Sequence, residues 1–236
     1  MTGTLAGVVT LSDDSFELGV DLDAGTHLDF LPGQYVNIDV PGEGAQRSYS
    51  FSSRPGDSHN TFLIRNVGNG VMSRYLRERA QTGDMLTLTG PMGAFYLRPV
   101  ERPVLMLAGG TGLAPFLAML ADLAEHGCDQ PIRMLYGVNE DAHLVKCDAL
   151  DALTEQLADF SYETVVVDEQ SAHPRKGYVT HHLSADMLRD GDIDVYVCGP
   201  PPMVEAVEDH FDTLGVEPHG FYAEKFLPRT VKEKEA

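Results

Sequence analysis

Three short segments of this sequence combine residue types that could bind and orient large cofactors. The first, residues 47–50 (RSYS), offers a planar cation, an aromatic ring and two hydroxyl groups on one predicted strand. The second, residues 109–115 (GGTGLAP), has three glycines in four residues, and the third, residues 198–203 (CGPPPM), places a thiol before a rigid proline loop. Arginine suits a pyrophosphate, tyrosine stacks on a flat heterocycle, and glycines admit a ligand to the backbone. In this order, the segments indicate a flavin that exchanges electrons with a nicotinamide.

Each segment also has a plainer interpretation. On a strand, Arg47 and Tyr49 face one side and Ser48 and Ser50 the other, so a twist or bulge is needed for all four to reach one ligand. For this segment taken alone, an ordinary barrel strand with an exposed arginine and a core tyrosine is the favoured interpretation. The glycine turn lacks the G-x-G-x-x-G spacing and could be a tight connection, although three glycines at a sheet edge favour a ligand site. A single cysteine such as Cys198 is usually a small buried hydrophobe.

A fourth segment, residues 68–73 (GNGVMS), places a flexible turn and a hydroxyl group at a predicted helix start. Helix N-termini attract phosphate through free amides and the helix dipole. A plain turn with Ser73 as the helix cap is an equally good interpretation of this segment alone. Together with Arg47, the segment would form a clamp for a diphosphate, which favours FAD over FMN.

The elements that must position these residues fall into two groups. Short apolar or alternating runs fill the first 99 residues and predict an antiparallel six-stranded barrel, with one helix over 72–79. Strands and helices then alternate, which predicts an α/β domain with a parallel sheet and a ligand at the carboxyl ends of its strands. We predict a barrel domain over 1–99, an α/β domain over 100–226 and a charged tail over 227–236. The predicted strands are 5–11, 16–22, 35–40, 47–53, 61–67, 85–89, 104–108, 132–137, 162–167, 195–198 and 221–223, and the predicted helices of the second domain are 113–125, 144–157 and 203–214.

Composition excludes several classes of function. The net charge is −19, of which residues 1–99 carry −4 and residues 100–236 carry −15, so a nucleic-acid partner is not expected. No apolar run reaches the length of a membrane span, and the start of the chain lacks a secretory signal, so we expect a cytoplasmic protein. Only three cysteines occur, far apart, and they cannot hold an iron–sulfur cluster. Scattered histidines predict no metal site, and no nucleophile elbow supports a hydrolase.

Nearly the whole chain resembles the ferredoxin–NADP reductase superfamily, and most closely the reductase components of benzoate 1,2-dioxygenase-type aromatic-ring dioxygenases. An FAD-binding barrel followed by an NAD-binding α/β domain is the fold that this resemblance implies. The segments that carry it are residues 31–36 (LPGQYV), 47–53 (RSYSFSS), 90–98 (GPMGAFYLR), 104–112 (VLMLAGGTG) and 224–226 (EKF).

The resemblance also implies roles for individual residues. Arg47 and Ser73 would hold the FAD diphosphate, Tyr49 would stack on the flavin, and Ser50 would lie near its N5 atom. Catalytic positions would be Ser50, Cys198, Glu224 and Phe226, with Cys198 beside the nicotinamide and Phe226 over the other flavin face. The remaining cofactor contacts would come from Ser48, Ile64, Arg65, Val67, Gly70, Val71, Met72, Gly110, Thr111, Gly112, Gly199, Pro200 and Met203.

The implied activity is that of an NADH-dependent flavoprotein reductase, with hydride transfer from nicotinamide to flavin and one-electron steps outward. The implied acceptors are a [2Fe–2S] ferredoxin, on a separate chain or on a missing domain, and a terminal oxygenase. Alternatives are a reductase module for a monooxygenase or globin-type partner, and a non-catalytic subunit that binds nucleotide and senses redox state. Asn139, Glu140 and Asp141 stand where an NADPH enzyme would place arginine, which favours NADH.

Overall fold

The computed structural model describes residues 1–23, 26 and 28–226. The first of its two sheets is antiparallel and has six strands in the order β4-β3-β6-β1-β2-β5. One helix, α1, follows β5. In chain order, the elements are β1 (Thr2–Ser12), β2 (Ser15–Leu22), β3 (Tyr35–Val40), β4 (Ala45–Ser50), β5 (His59–Arg65), α1 (Val71–Glu78) and β6 (Met85–Met92).

This sheet closes on itself as a barrel. β4 and β5 lie at the two ends of the strand order, and a bridge between Phe51 and Phe62 joins them. The residues of β3 alternate between buried and half-buried positions, so that its valine and isoleucine side chains fill the interior. Helix α1 buries one face against the same interior. The apolar core that results is independent of the second sheet.

The second sheet has five parallel strands in the order β11-β10-β7-β8-β9. β7 occupies its centre because the chain runs outward through β8 and β9 and then crosses back to β10. The strand order therefore reverses between β7 and β10, and in such sheets the ligand crevice lies at the carboxyl ends of those two strands. The elements are β7 (Val104–Gly109), α2 (Ala114–His126), β8 (Ile132–Val138), α3 (Cys147–Gln156), β9 (Phe160–Val166), β10 (Asp194–Gly199), α4 (Pro201–Leu214) and β11 (Gly220–Lys225).

Both faces of the parallel sheet are covered. All six residues of β7 are buried. Met106 and Ala108 belong to a core shared with α2 and α3, whereas Leu105 and Leu107 face the opposite side, where α4 packs. A central strand buried on both faces explains the uninterrupted apolar sequence of this segment.

The barrel and the parallel sheet are in direct contact. Phe95, after the last barrel strand, packs edge-on against Phe116 of α2 and Tyr196 of β10, with both ring centroids 6.0 Å away. Arg54 of the barrel also pairs with Glu125 of α2, with 2.6 Å between Nη1 and Oε2. The carboxyl ends of β7 and β10 thus lie at a seam between the two folding units.

The predicted fold class is confirmed, whereas several element bounds differ. Helix α2 begins at Ala114 because residues 110–113 form a 3₁₀ turn, and α3 begins three residues later than predicted. The boundary at residue 99 stays a prediction; β6 ends at Met92 and β7 begins at Val104. The predicted tail over 227–236 lies outside the described residues. No helix in the described part of the chain is long and apolar enough to cross a membrane.

Candidate active site

Strand β4 carries the first predicted segment. It pairs with β3 over all six residues in unbroken antiparallel register, so no bulge interrupts its alternation. Arg47 and Tyr49 are half-buried and share one side. Ser48 is exposed and donates a hydrogen bond to Asn37 Oδ1 at 2.6 Å. Ser50, at the end of the strand, is buried. The structure brings Arg47 and Tyr49 together and turns Ser48 away from them.

Two arginines near this strand have no acidic partner. The charge of Arg47 opposes the effect of burial, which raises the pKa of the Tyr49 phenol, so the guanidinium lies close to that ring. Arg47 Nη1 donates only to the carbonyl of Gln46, at 2.8 Å. Neither Arg47 nor the exposed Arg65 makes an ion pair within the residues that the structure describes. In so acidic a chain, unpaired arginines fit an anionic ligand.

The first turn of α1 also offers donors for an anion. Within the described residues, the N–H groups of Val71, Met72 and Ser73 have no backbone or side-chain acceptor. Gly70 precedes them in an extended conformation and supplies no capping side chain. Free amides and the positive end of the helix dipole fit a phosphate group. The residues present therefore fit the diphosphate of FAD.

Ser73 is hydrogen-bonded within the protein to the segment that precedes α1. Its Oγ accepts a hydrogen bond from the N–H of Val67 at 2.9 Å and donates one to the carbonyl of Arg65 at 3.2 Å. The hydroxyl group does not cap the helix and instead fixes the segment before it. Contact between this hydroxyl and the diphosphate stays a prediction.

One apolar side chain, that of Val67, is exposed in the segment between β5 and α1. Ile64 is 1% exposed and packs its side chain inside the barrel, whereas Val67 is 48% exposed. An exposed valine beside free helix amides fits a ligand that combines an anionic group with a flat apolar ring. The cofactor contacts of Ile64 and Val67 stay predictions.

The glycine turn packs directly on the third predicted segment. Gly110 has a φ of +54° and open space around it. A Cβ atom on Gly112 would lie 2.3 Å from the carbonyl oxygen of Cys198, and one on Gly109 would lie 2.4 Å from Sδ of Met203. The close approach to the Cys198 backbone requires glycine at position 112, whereas the Met203 side chain could move aside; both contacts bring two distant sequence segments together. Thr111, which is half-buried, lies between Gly109 and Gly112 in the sequence.

Cys198 is the penultimate residue of β10, directly before Gly199. It is fully buried, and burial holds the pKa of its thiol well above the ordinary value, so the sulfur is a neutral thiol. Gly199 is buried, Pro200 is exposed, and Met203 is half-buried in the first turn of α4. A neutral, buried thiol does not act as a nucleophile, and its place beside the nicotinamide stays a prediction.

Glu224 completes a cluster at the seam. It lies opposite Cys198 in the parallel register of β10 and β11. Burial raises the pKa of its carboxyl group to about 7, and the neighbouring Ser50 hydroxyl partly opposes that shift. Oε2 of Glu224 is buried without a hydrogen-bond partner among the described residues. Three predicted catalytic residues, Ser50, Cys198 and Glu224, are thus brought together from the barrel and from two strands of the parallel sheet.

Phe226 lies just beyond β11. Its N–H donates to the carbonyl of Gly199 at 2.9 Å, which holds the chain over the end of β10. Its half-buried ring packs at the border of the core that contains α2. The position is at the seam, and the predicted cover over the flavin stays a prediction.

The acidic segment after β8 lies at the same edge of the sheet. The Asp168 N–H donates to the carbonyl of Asn139 at 2.9 Å, and Asp141 Oδ1 accepts a hydrogen bond from Ser171 Oγ at 2.8 Å. Glu140 is exposed. Two carboxylates therefore lie just after the carboxyl end of β8, the strand next to β7, and their place beside the coenzyme ribose stays a prediction.

The sequence did not reveal one cluster of potential metal-ligating side chains. Asp13, Asp14 and His143 have potential ligand atoms within 4.8 Å of one another. Nε2 of His143 lies at hydrogen-bond distance from Asp13 Oδ1, and nothing in the sequence links positions 130 residues apart. The paired aspartates in a two-residue turn between strands were the only visible signal.

Comparison with known proteins assigns the two sheets to families. Residues 2–96 match the oxidoreductase FAD-binding domain and residues 106–209 the oxidoreductase NAD-binding domain. The 2-halobenzoate 1,2-dioxygenase electron transfer component of Burkholderia cepacia is 50% identical over 97% of this chain and 68% of its own length. The toluate 1,2-dioxygenase electron transfer component of Pseudomonas putida is 47% identical over 94% of this chain and 66% of its own.

A solved structure supports the same assignment. The Amycolatopsis cytochrome P450 reductase superposes with a TM-score of 0.86 at 31% identity, covering 96% of this chain and 69% of that one. This chain spans about two thirds of the length of each of these three proteins. The matched regions coincide with the barrel and the parallel sheet. The chain therefore belongs to the ferredoxin–NADP reductase superfamily, among the electron transfer components of aromatic-ring dioxygenases, and is an FAD- and NAD-binding oxidoreductase.

Proposed function

We propose that this protein oxidises NADH and passes the electrons, through FAD, to a [2Fe–2S] ferredoxin or ferredoxin domain that serves a terminal aromatic-ring oxygenase. The observation that carries the proposal is the convergence of Ser50, Cys198 and Glu224 at the seam between barrel and sheet. A cytoplasmic location, where NADH is available, is part of the proposal. So are the extents 1–99 and 100–226 for the FAD and NAD domains.

Bound FAD supplies the chemistry, because it accepts a hydride and releases electrons one at a time. The protein contributes binding and alignment. Arg47 and the amides of residues 71–73 would hold the diphosphate, and Tyr49 would stack on the flavin. Gly110 and Gly112 would let the coenzyme approach the backbone, while Cys198 would exclude water beside the nicotinamide. Glu224, which titrates near neutral pH, would hold or release a proton next to Ser50.

The choice of coenzyme follows from the segment after β8. The carboxylates of Glu140 and Asp141 would repel a 2′-phosphate and leave room for the ribose hydroxyl of NADH. The measurement is kcat/KM for NADH and NADPH on the FAD-loaded protein. A clear preference for NADPH would contradict the proposal.

Anaerobic reduction tests the central claim. The purified protein, incubated with FAD and freed of excess cofactor, should be yellow and should lose its flavin absorbance when NADH is added. A colourless protein that retains no FAD would instead support the nucleotide-binding subunit without catalysis. A yellow protein that NADH does not bleach would also contradict the proposed activity.

A second candidate function concerns the acceptor. The likeness to a cytochrome P450 reductase favours a monooxygenase as the alternative destination of the electrons. Reduction rates with a [2Fe–2S] ferredoxin and with a P450 as acceptors, at equal NADH, would separate the two. A rate with the P450 that exceeds the rate with the ferredoxin would favour the alternative.

A further inference from the structure

The turn between β1 and β2 of the barrel reaches across to the coenzyme-binding unit. Nε2 of His143 lies 3.1 Å from Oδ1 of Asp13, and Nδ1 lies 3.8 Å from Oδ2 of Asp14. The His143 side chain is only 11% exposed. Leu11, just before this turn, packs at the border of the core beneath α2. The contact thus combines a hydrogen bond and apolar burial across the seam.

An ion pair joins the same two units. Glu17 of β2 pairs with Lys146, and the two side chains are 19% and 23% exposed. Lys146 holds a left-handed backbone conformation, with a φ of 60° and a ψ of 22°, immediately before α3. A residue other than glycine adopts this conformation at an energetic cost, and surrounding contacts must hold it there. The ion pair with Glu17 is such a contact.

The other side of the same turn is tied to the predicted flavin segment. The N–H of Asn66 donates to the carbonyl of Asp14 at 2.6 Å, and its Nδ2 donates to the carbonyl of Asp13 at 2.7 Å. Asn66 lies between Arg65 and Val67, both predicted to contact FAD. Any shift of the turn would therefore displace that segment.

On the coenzyme side, His143 is close to a predicted binding segment, the acidic residues after β8. A 3₁₀ turn, Asp141–His143, joins the acidic residues after β8 to the histidine. Asp141 is itself fixed by Ser171. The β1–β2 turn is therefore in contact with the flavin segment on one side and with the coenzyme segment on the other.

We propose that the Asp13–Asp14 turn and Glu17 form a bridge that sets the position of the coenzyme segment relative to the flavin segment. Glu17, His143 and Lys146 are positioning residues in this proposal, which rests on the proposed reductase function. The bridge is expected to affect the rate of flavin reduction by bound NADH more than it affects the stability of the fold.

Lys146→Gly is the most informative variant. Glycine accepts the left-handed backbone without strain, so the substitution removes the ion pair and relieves the conformational cost together. We expect the melting temperature of the FAD-loaded protein to stay within about 4 °C of the wild type. The rate of flavin reduction at saturating NADH, measured by rapid mixing, should fall about fivefold. Lys146→Arg keeps the charge and should keep the rate.

A double-mutant cycle separates the bridge from a general loss of packing. Glu17→Gln should lower the rate as much as Lys146→Gly does, and the combined variant should lose no more than either alone. The control is Asp159→Asn, which removes a 2.6 Å ion pair with Arg133 inside the coenzyme unit, at the far end of β8, and should leave the rate unchanged.

The outcomes are distinguishable. Wild-type protein that NADH does not reduce would overturn the proposed function. Normal reduction of the wild type with unchanged rates in both Lys146→Gly and Glu17→Gln would overturn the bridge alone. Additive losses in the combined variant, or equal losses in the Asp159→Asn control, would also overturn it.

Discussion

Cys198 and Glu224 lie side by side on the parallel strands β10 and β11, in direct register. The thiol is fully buried, and both burial and the nearby carboxylate raise its pKa. The carboxyl group is itself shifted, to a pKa of about 7. The strand pair therefore presents a neutral thiol and a carboxylic acid that is partly protonated at neutral pH, next to the Ser50 hydroxyl of the barrel.

Cys198 should resist thiol reagents while the protein is folded. Burial keeps its sulfur protonated and out of contact with water, whereas Cys128 and Cys147 are half-buried. Brief treatment with iodoacetamide, followed by mass spectrometry of the peptides, should find Cys198 the least modified of the three. In urea all three should react. Rapid native labelling of Cys198 would show that the seam is open.

Glu224 should make stability depend on pH. Folding raises the pKa of Glu224. Its contribution to the free energy of unfolding is therefore fully present below the unfolded pKa of 4.5 and is lost as the pH rises through the folded pKa of about 7. The loss amounts to roughly 3 kcal/mol at most. Glu224→Gln removes this dependence. The melting temperature of Glu224→Gln, expressed relative to that of the wild type, should therefore rise between pH 5 and pH 8.

The control for this titration is Glu101→Gln, an exposed carboxyl group outside the seam. Its melting temperature should follow that of the wild type at every pH. A constant difference between Glu224→Gln and the wild type across the range would contradict the raised pKa of Glu224.

The two glycines of the 3₁₀ turn over residues 110–113 should respond differently to alanine. In Gly112→Ala the new Cβ would lie 2.3 Å from the backbone oxygen of Cys198, which cannot move without shifting β10. We expect a loss of about 3 kcal/mol or more. Gly110→Ala meets open space and carries only the strain of a positive φ, about 1 kcal/mol. Thermal or urea unfolding measures both, and an equal loss would contradict the close contact.

Arg47→Ala should weaken FAD retention. Its guanidinium has no acidic partner among the described residues, and a charge-assisted hydrogen bond to phosphate would be lost. We expect the Kd for FAD, measured by fluorescence quenching, to rise about tenfold or more. Arg175→Ala is the matched control, because Arg175 pairs with Glu163 away from the seam. An unchanged Kd in Arg47→Ala would contradict the diphosphate role.

Local patterns were sufficient for the fold class. Alternation in β3 and the uninterrupted apolar run of β7 report burial on one face and on two faces, and that information is local to a few residues. The residues at which strands and helices begin and end were less predictable. The chain leaves β4 after Ser50 because the Phe51–Phe62 bridge closes the barrel, and this contact is between residues of different strands.

The segments that form the candidate site were predictable from the sequence, but the spatial arrangement of their side chains was not. Residue types indicated Arg47, Gly110 and Cys198, but the use of the Ser73 hydroxyl to fix Val67 depends on the path of the chain before α1. The raised pKa of Glu224 depends on burial beneath the barrel, which no local pattern encodes.

The sequence by itself determined the two folding units, the cofactor classes and the three segments that meet at the seam, because these follow from short-range periodicity and residue chemistry. Only the tertiary structure decided that Glu224 faces Cys198 and that the Asp13–Asp14 turn contacts His143. Strand order brings together Cys198 and Glu224, and interdomain packing brings together Asp13 and His143, which are 130 positions apart; such pairings arise only when the chain is folded.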